Sequence, residues 1–312
     1  MKVITDIENY TLTQSCVLTI GTFDGVHVGH QKIIKKLIKQ AHKQNQLAVV
    51  LTFFPHPRMV LQKDQSLRLI DTMEEKQNHL AALGVDVLVV HPFSKAFSRL
   101  TALEFTRDIL VNRFHITSLI IGYDHRFGRN REATVEDLIE LGTSYDFSVK
   151  KIEAQEIASV NVSSTKIRKA LEQGDLKIAN SYLGRTYTLT GTVRKGNGIG
   201  RTLDFRTANL EIQEEYKLLP ADGVYFMETS WNNTHYYGMM NIGVRPTVSG
   251  DPKHTIEVHL FDFEENIYHQ KLSVSILQMI RKEQKFNSLE LLKDQLEKDR
   301  LFCLEKIKTL NA

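Results

Sequence analysis

The sequence predicts an α/β protein in two parts: a parallel sheet covered by helices, then an antiparallel β-barrel with a terminal helix. Three observations carry this. The 312 residues amount to about two domains at roughly 150 residues each. The first half alternates short apolar runs with stretches of helical period. Beyond Gly184 the chain turns to short alternating runs separated by turns, and helical spacing returns only at the end. This change places the division at residues 183–187, giving domains 1–185 and 186–312 with a short connection at Gly184 and Arg185. There is no internal repeat and no low-complexity tract.

The first strand is Cys16-Val17-Leu18-Thr19-Ile20, apolar on both faces and ended by Gly21. A helix follows, because Ile33, Ile34, Leu37, Ile38 and Ala41 form one stripe while Lys32, Lys35, Lys36 and Lys39 occupy the other faces. Further strands are expected at 47–54, 85–90 and 118–122, with helices at 74–83 and 103–114 between them. Buried strands joined by helices call for a doubly covered parallel sheet, whose ligands bind at the C-terminal ends of the strands. The barrel strands are expected at 188–193, 208–212, 223–229, 236–242, 255–261 and 272–276. Leu289, Leu292, Leu296, Cys303 and Ile307 then repeat with helical spacing, and Ser288 is placed to cap that helix.

Composition excludes several classes. Lys plus Arg (40) against Asp plus Glu (37) leaves a formal charge of +3, which argues against a nucleic-acid carrier with a broad basic surface. The 42% hydrophobic and 25% charged shares are those of a soluble globular protein, and no apolar run approaches the roughly 18 residues that span a bilayer. Residues 1–12 lack the zones of a secretory signal, so a cytoplasmic location is expected. Cys16 and Cys303 are too few for a disulfide framework or a structural zinc site and read as core thiols.

The strongest local signal is Gly21-Thr22-Phe23-Asp24-Gly25-Val26-His27-Val28-Gly29-His30, between the first strand and its helix. A helix start favours a phosphate, and Gly25 and Gly29 let it approach without a Cβ in the way. His27 and His30, three apart, can point to the same side and donate to phosphate oxygens as pyrophosphate leaves. One such preorganised donor is worth on the order of 3 kcal/mol of transition-state stabilisation. By itself His-x-x-His also fits a partial metal site or two surface histidines; the strand before it and the flanking glycines favour phosphate.

Ser163-Ser164-Thr165-Lys166-Ile167-Arg168 opens another helix. Hydroxyls there read as caps, but Lys166 and Arg168 in the same turn add cationic donors, and the fork of Arg168 can bind two phosphate oxygens. Thr52-Phe53-Phe54-Pro55-His56-Pro57-Arg58 and Gly122-Tyr123-Asp124-His125-Arg126-Phe127-Gly128 close two strands. Their aromatics suit a flat ring; equally, the first fits a proline-constrained turn and the second a surface loop.

Together these segments resemble the bifunctional prokaryotic riboflavin kinase/FAD synthetase family over essentially the whole chain. G-T-F-D-G-V-H-x-G-H, T-F-x-P-H-P, G-x-D-x-R-F-G and S-S-T-x-I-R occur in the family's order. The resemblance implies a Rossmann-like FMN adenylyltransferase domain that moves AMP from ATP to FMN, giving FAD and pyrophosphate with Mg²⁺. It implies catalytic His27, His30 and Arg168. ATP or phosphate binding falls to Gly21, Phe23, Asp24, Gly25, Gly29, Ser164 and Thr165, and contact with flavin or adenine to Phe54, His56, Pro57, Asp124 and Arg126. The attacking phosphate oxygen is already ionised, so positioning and charge neutralisation dominate.

The second half resembles the family's riboflavin kinase barrel through Thr207-Ala208-Asn209, Gly223-Val224-Tyr225, Asn241-Ile242-Gly243-Val244-Arg245-Pro246-Thr247 and Glu257-Val258-His259-Leu260-Phe261-Asp262-Phe263. The resemblance implies that Thr207 and Asn209 bind Mg²⁺ and ATP, that Glu257 is the general base for the riboflavin hydroxyl, and that Arg281 lies near the flavin. Where the family reads G-R-x-L-G-F-P-T-A-N, this chain has Asp204 and Arg206 in place of Gly and Pro. Both exchanges alter an ATP loop, which leaves a second reading: a monofunctional FAD synthetase whose barrel is inactive or only senses flavin. The implied partners are the small molecules ATP, FMN and riboflavin, with no nucleic acid and no membrane; self-association stays open.

Overall fold

The computed structural model describes residues 1–5, 7, 10–64, 66–122, 128–129, 133–152, 162–195, 205–245 and 253–310. The chain divides into two compact units, Met1–Ser164 and Thr165–Ala312.

In the first unit six strands among the described residues make one sheet: β1 (Lys2–Ile4), β2 (Cys16–Ile20), β3 (Leu47–Phe54), β4 (Val87–Pro92), β5 (Ile116–Gly122) and β6 (Ser148–Ile152). All pairings are parallel, in the order β1-β4-β3-β2-β5-β6. Winding reverses between β2 and β5, so the crevice beyond their C-terminal ends is where such a sheet holds ligands. Both faces are covered, as apolar runs on both sides of a strand demand. Val17, Ala48, Val50 and Leu88 pack under Ile33, Ile34, Leu37 and Ala41 of α1 (Val28–Lys43) and Leu80 of α3 (Met73–Leu83). Leu18, Val49, Leu51 and Val89 pack on the opposite side with Phe105, Leu110, Phe114 and Leu138.

The expected helix at 103–114 is a short helix α4 (Ala102–Glu104) continued by a wider π turn, Phe105–Val111. Asn112 N–H reaches the Arg107 carbonyl and Phe114 N–H the Ile109 carbonyl, both five residues back. The wider turn lets Phe105, Leu110 and Phe114 enter one core. Among the described residues this unit also has the α-helices α2 (Pro57–Leu61) and α5 (Val135–Ser144) and a 3-10 turn at Phe97–Arg99; α6 (Ser164–Glu172) begins at its last residue.

The second unit is a closed barrel with α7 (Leu176–Leu183) and the terminal helix α8 (Leu289–Leu310). Its strands are β7 (Tyr187–Arg194), β8 (Ala208–Glu211), β9 (Gly223–Trp231), β10 (Thr234–Arg245), β11 (Lys253–Leu260) and β12 (Lys271–Lys282). They close antiparallel in the order β10-β11-β8-β7-β12-β9. Period-two alternation decides which side chains fill the barrel, as in β11, where Ile256, Val258 and Leu260 are buried and Glu257 and His259 take the other face. Leu292, Leu296, Cys303 and Ile307 of α8 pack with Phe205, Phe226, Met239 and Phe261. Ser288 caps this helix, its Oγ accepting from Leu291 N–H at 3.2 Å. Burial pushes the Cys16 and Cys303 thiols up, so both are protonated core groups.

Candidate functional site

The loop after β2 is shaped by its apolar side chains. Phe23 and Val26 both have positive φ, +46° and +35°, yet are 3% and 1% exposed, tucked into the core beneath the sheet's C-terminal edge. Such backbone costs about 1–3 kcal/mol per residue, and it persists here because burial of the two side chains opposes it. Gly25 (φ +82°) has no alternative, since a Cβ would stand 2.9 Å from Ile70 Cδ1. A Cβ on Gly21 would press on the Phe23 ring at 3.1 Å. The carbonyl oxygens are claimed by the protein's own donors. Thr22 accepts from Lys76 Nζ (2.8 Å) and Thr52 Oγ1 (3.1 Å), Asp24 from Ser164 Oγ (2.9 Å), and Val26 from Gln31 Nε2 (2.9 Å). A loop with its carbonyls so engaged turns little negative charge toward an anion.

His27 is the N-cap of α1, with Nδ1 accepting from His30 N–H at 3.3 Å, so its proton sits on Nε2. The His27 and His30 rings stack at 3.6 Å between centroids, and the Phe23 ring meets His30 edge-on at 5.2 Å. Burial, then the neighbouring His27 and Lys76, hold His30 well below the usual imidazole range, so the ring is neutral. Gly29 is buried in the first turn of the same helix.

Beneath the loop lies a buried charged group that the motif does not announce. Lys76 of α3 is 3% exposed, Asp24 1% and Asp71 3%. Burial pushes the Lys76 ammonium down, and the carboxylates of Asp24 and Asp71 oppose that shift. Asp24 Oδ1 also accepts from Ile70 N–H at 3.0 Å, and His79 approaches Asp71 at 3.8 Å. Asp24 thus faces inward, as an anchor of the loop.

Phe54 packs against the cluster that contains Phe23 and Val26, and a cis peptide joins it to Pro55. His56 caps α2, accepting from Arg58 N–H at 3.2 Å, with Pro57 in the first turn. β3 thus ends in a proline-containing turn at the same sheet edge as the β2 loop. Within the first unit Ser164 Oγ donates to the Asp24 carbonyl; in the second, Thr165 is exposed and Arg168 half-buried on α6. Asp124 and Arg126 lie outside the described residues, as does Asp204.

In the barrel, strand register brings three polar side chains into one row. Glu257 on β11 pairs with Asn209 on β8 and with Asn241 on β10, and directly paired residues share a face. Thr207 leads into β8, its segment held by the 2.7 Å contact between His259 Nδ1 and the Arg206 carbonyl. The Arg206 side chain is exposed, and the contact uses an oxygen that proline would also offer. Arg281 is gripped by Asp299 of α8, with Nε 3.1 and 2.9 Å from the two carboxylate oxygens and a terminal nitrogen 2.9 Å from Oδ2. Gln295 Nε2 adds a donor to Asp299 at 2.8 Å. Sequence reasoning singled out neither Lys76 nor Asn241 for a site: a helical lysine looks like a solvated one, and the place of Asn241 follows only from register.

Comparison with known proteins agrees with this architecture. Residues 10–166 match the FAD synthetase family model and residues 183–306 the riboflavin kinase model. Bifunctional riboflavin kinase/FMN adenylyltransferases are similar along nearly the full chain. The Listeria monocytogenes protein is 38% identical over 91% of this chain and 90% of its own, and the Escherichia coli K12 protein 36% over 98% and 97%. A crystal structure described as a macrolide-efflux protein from Streptococcus pneumoniae superposes with a TM-score of 0.85 at 32% identity, covering 96% of both chains. That description applies to the Streptococcus protein; among the described residues here, no helix is long and apolar enough to cross a membrane. This chain belongs to the bifunctional riboflavin kinase/FMN adenylyltransferase family.

Proposed function

We propose that this chain makes FAD in two steps, phosphorylating riboflavin to FMN in the barrel and adenylylating FMN in the parallel-sheet domain. The functional division follows 1–185 and 186–312, and the protein works in the cytoplasm on small molecules, without nucleic acid. The observation that carries the first reading is the stacked His27 and His30 pair on a loop whose Thr22, Asp24 and Val26 carbonyls accept from the protein's own donors. An FMN phosphate oxygen attacks the α-phosphorus of ATP, the bond to the β-phosphate breaks, and pyrophosphate leaves with the negative charge. No proton is transferred, so the protein's part is placement. His27 donates from Nε2, His30 donates as a neutral ring, and Arg168 pairs with the phosphate tail held by Ser164 and Thr165. Phe54, His56 and Pro57, with Asp124 and Arg126, border the flavin.

In the barrel an alcohol is the nucleophile and must lose a proton. Glu257 takes it as the ribityl oxygen attacks the γ-phosphorus and ADP departs. Asn209 and Asn241 flank that carboxylate and hold its direction. Thr207 and Asn209 offer neutral oxygens, which fit a Mg²⁺ carried mainly by ATP phosphates; the ion would offset phosphate charge. Arg281, fixed by Asp299, borders the flavin. Purified protein with riboflavin, ATP and Mg²⁺, followed by chromatography, should yield FMN and then FAD. FAD from supplied FMN but none from riboflavin would leave only the adenylyltransferase; no FAD from FMN would refute the first reading.

A further inference from the structure

Lys76 is in a position that folding alone explains poorly. A buried ammonium is costly, and a methionine would fill similar space without a charge to desolvate. Lys76 reaches the backbone of the one loop that carries the histidine pair, donating to the Thr22 carbonyl at 2.8 Å. Its charge acts on His30, whose Nδ1 is buried and has no hydrogen-bond partner. An N–H on that nitrogen would be a buried donor with no acceptor, in a site where the Lys76 charge already disfavours added protons. The remaining ring proton then belongs on Nε2. The titratable groups around this pair are His27 on the helix of His30, Asp24 in the loop, Asp71 ahead of α3, and His79 on α3.

We propose that Lys76 is a positioning residue of the adenylyl-transfer site: it anchors the loop through Thr22 and fixes the proton of His30 on Nε2, the nitrogen that donates to an ATP phosphate oxygen. The inference rests on the adenylyltransferase reading above. Lys76 touches no substrate; it acts through the loop and through His30. Two carboxylates, Asp24 and Asp71, act on the ammonium and lower the cost of keeping it charged under the loop.

The test uses the full chain and its Lys76→Met and Lys76→Arg variants. FAD formation from FMN, ATP and Mg²⁺ gives kcat and the KM for ATP, and long-range ¹H–¹⁵N correlations report the His30 ring, assigned by loss of its signals in His30→Asn. In the wild type, His30 should be one tautomer, Nε2–H, staying neutral below the roughly pH 6.5 of a free imidazole. Lys76→Met should lower kcat about 100-fold with KM changed less than about threefold, mix the tautomers and raise the pH at which His30 protonates. Lys76→Arg should restore most of each. A folded Lys76→Met with wild-type kcat, or with an unchanged His30 ring, overturns the proposal. Should that variant not fold, a wild-type His30 found as Nδ1–H, or titrating near 6.5, overturns it alone. Absence of FAD from wild type would instead strike the adenylyltransferase reading, leaving the ring measurement to decide the role of Lys76.

Discussion

The β2 loop of the first unit and the polar row of the barrel, the two proposed sites, are assembled by opposite means. In the loop, residues close in sequence do the work: positive φ at Phe23, Gly25 and Val26, a histidine cap, and carbonyls drawn inward. In the barrel, Asn209, Asn241 and Glu257 stand side by side only because three strands pair in one register. The chemistry divides the same way. An ionised phosphate needs donors and no base, and the loop offers a stacked histidine pair; an alcohol needs a base, and the row centres on a carboxylate.

The largest effect should come from the row. Glu257→Gln keeps the shape and removes the proposed base, so FMN formation should fall about 1000-fold while FAD formation from supplied FMN is unchanged, both read by chromatography. Equal loss of both activities would break the separation of the two regions. Next is the clamp between β12 and the terminal helix. Asp299→Ala strands Arg281 beside the terminal helix, and urea unfolding should show about 3–5 kcal/mol lost from the barrel.

The first unit should be the more acid-sensitive. His91 on β4 is 7% exposed, its Nδ1 has no partner, and burial pushes its pKa down to about 4. The unfolded chain takes up this proton near pH 6.5 and the folded chain only near 4. Stability present above 6.5 is therefore lost as pH falls through that window, by about 3 kcal/mol. His91→Phe should flatten this part of the stability profile in urea titrations; an unchanged slope would assign the acid loss elsewhere. Gly25→Ala should cost about 2 kcal/mol through its φ of +82° and the contact with Ile70, and should slow FAD formation without touching the kinase.

The same contrast explains what was legible in the sequence. Strands 16–20 and 47–54 could be read to the residue, because apolar runs bounded by Gly21 and Pro55 leave little freedom. The loop was legible because its glycines and histidines act on near neighbours. The π turn at Phe105–Val111 was not, since it depends on Phe105, Leu110 and Phe114 sharing a core that only the tertiary fold supplies. Strand β6 was missed as well: Ser148, Lys150 and Lys151 are exposed at the sheet's edge and leave no apolar run to read. Lys76 shows the limit most clearly. On a helical wheel it is one more lysine, and only the loop folded over it reveals a buried partner for Thr22.

Two separable sites acting in sequence should come apart in His30→Asn. Supplied with riboflavin, ATP and Mg²⁺, this variant should accumulate FMN at the wild-type rate while FAD formation falls about 100- to 1000-fold. FAD appearing at the wild-type rate would remove His30 from adenylyl transfer, and a parallel loss of FMN would show that the two sites are not separable.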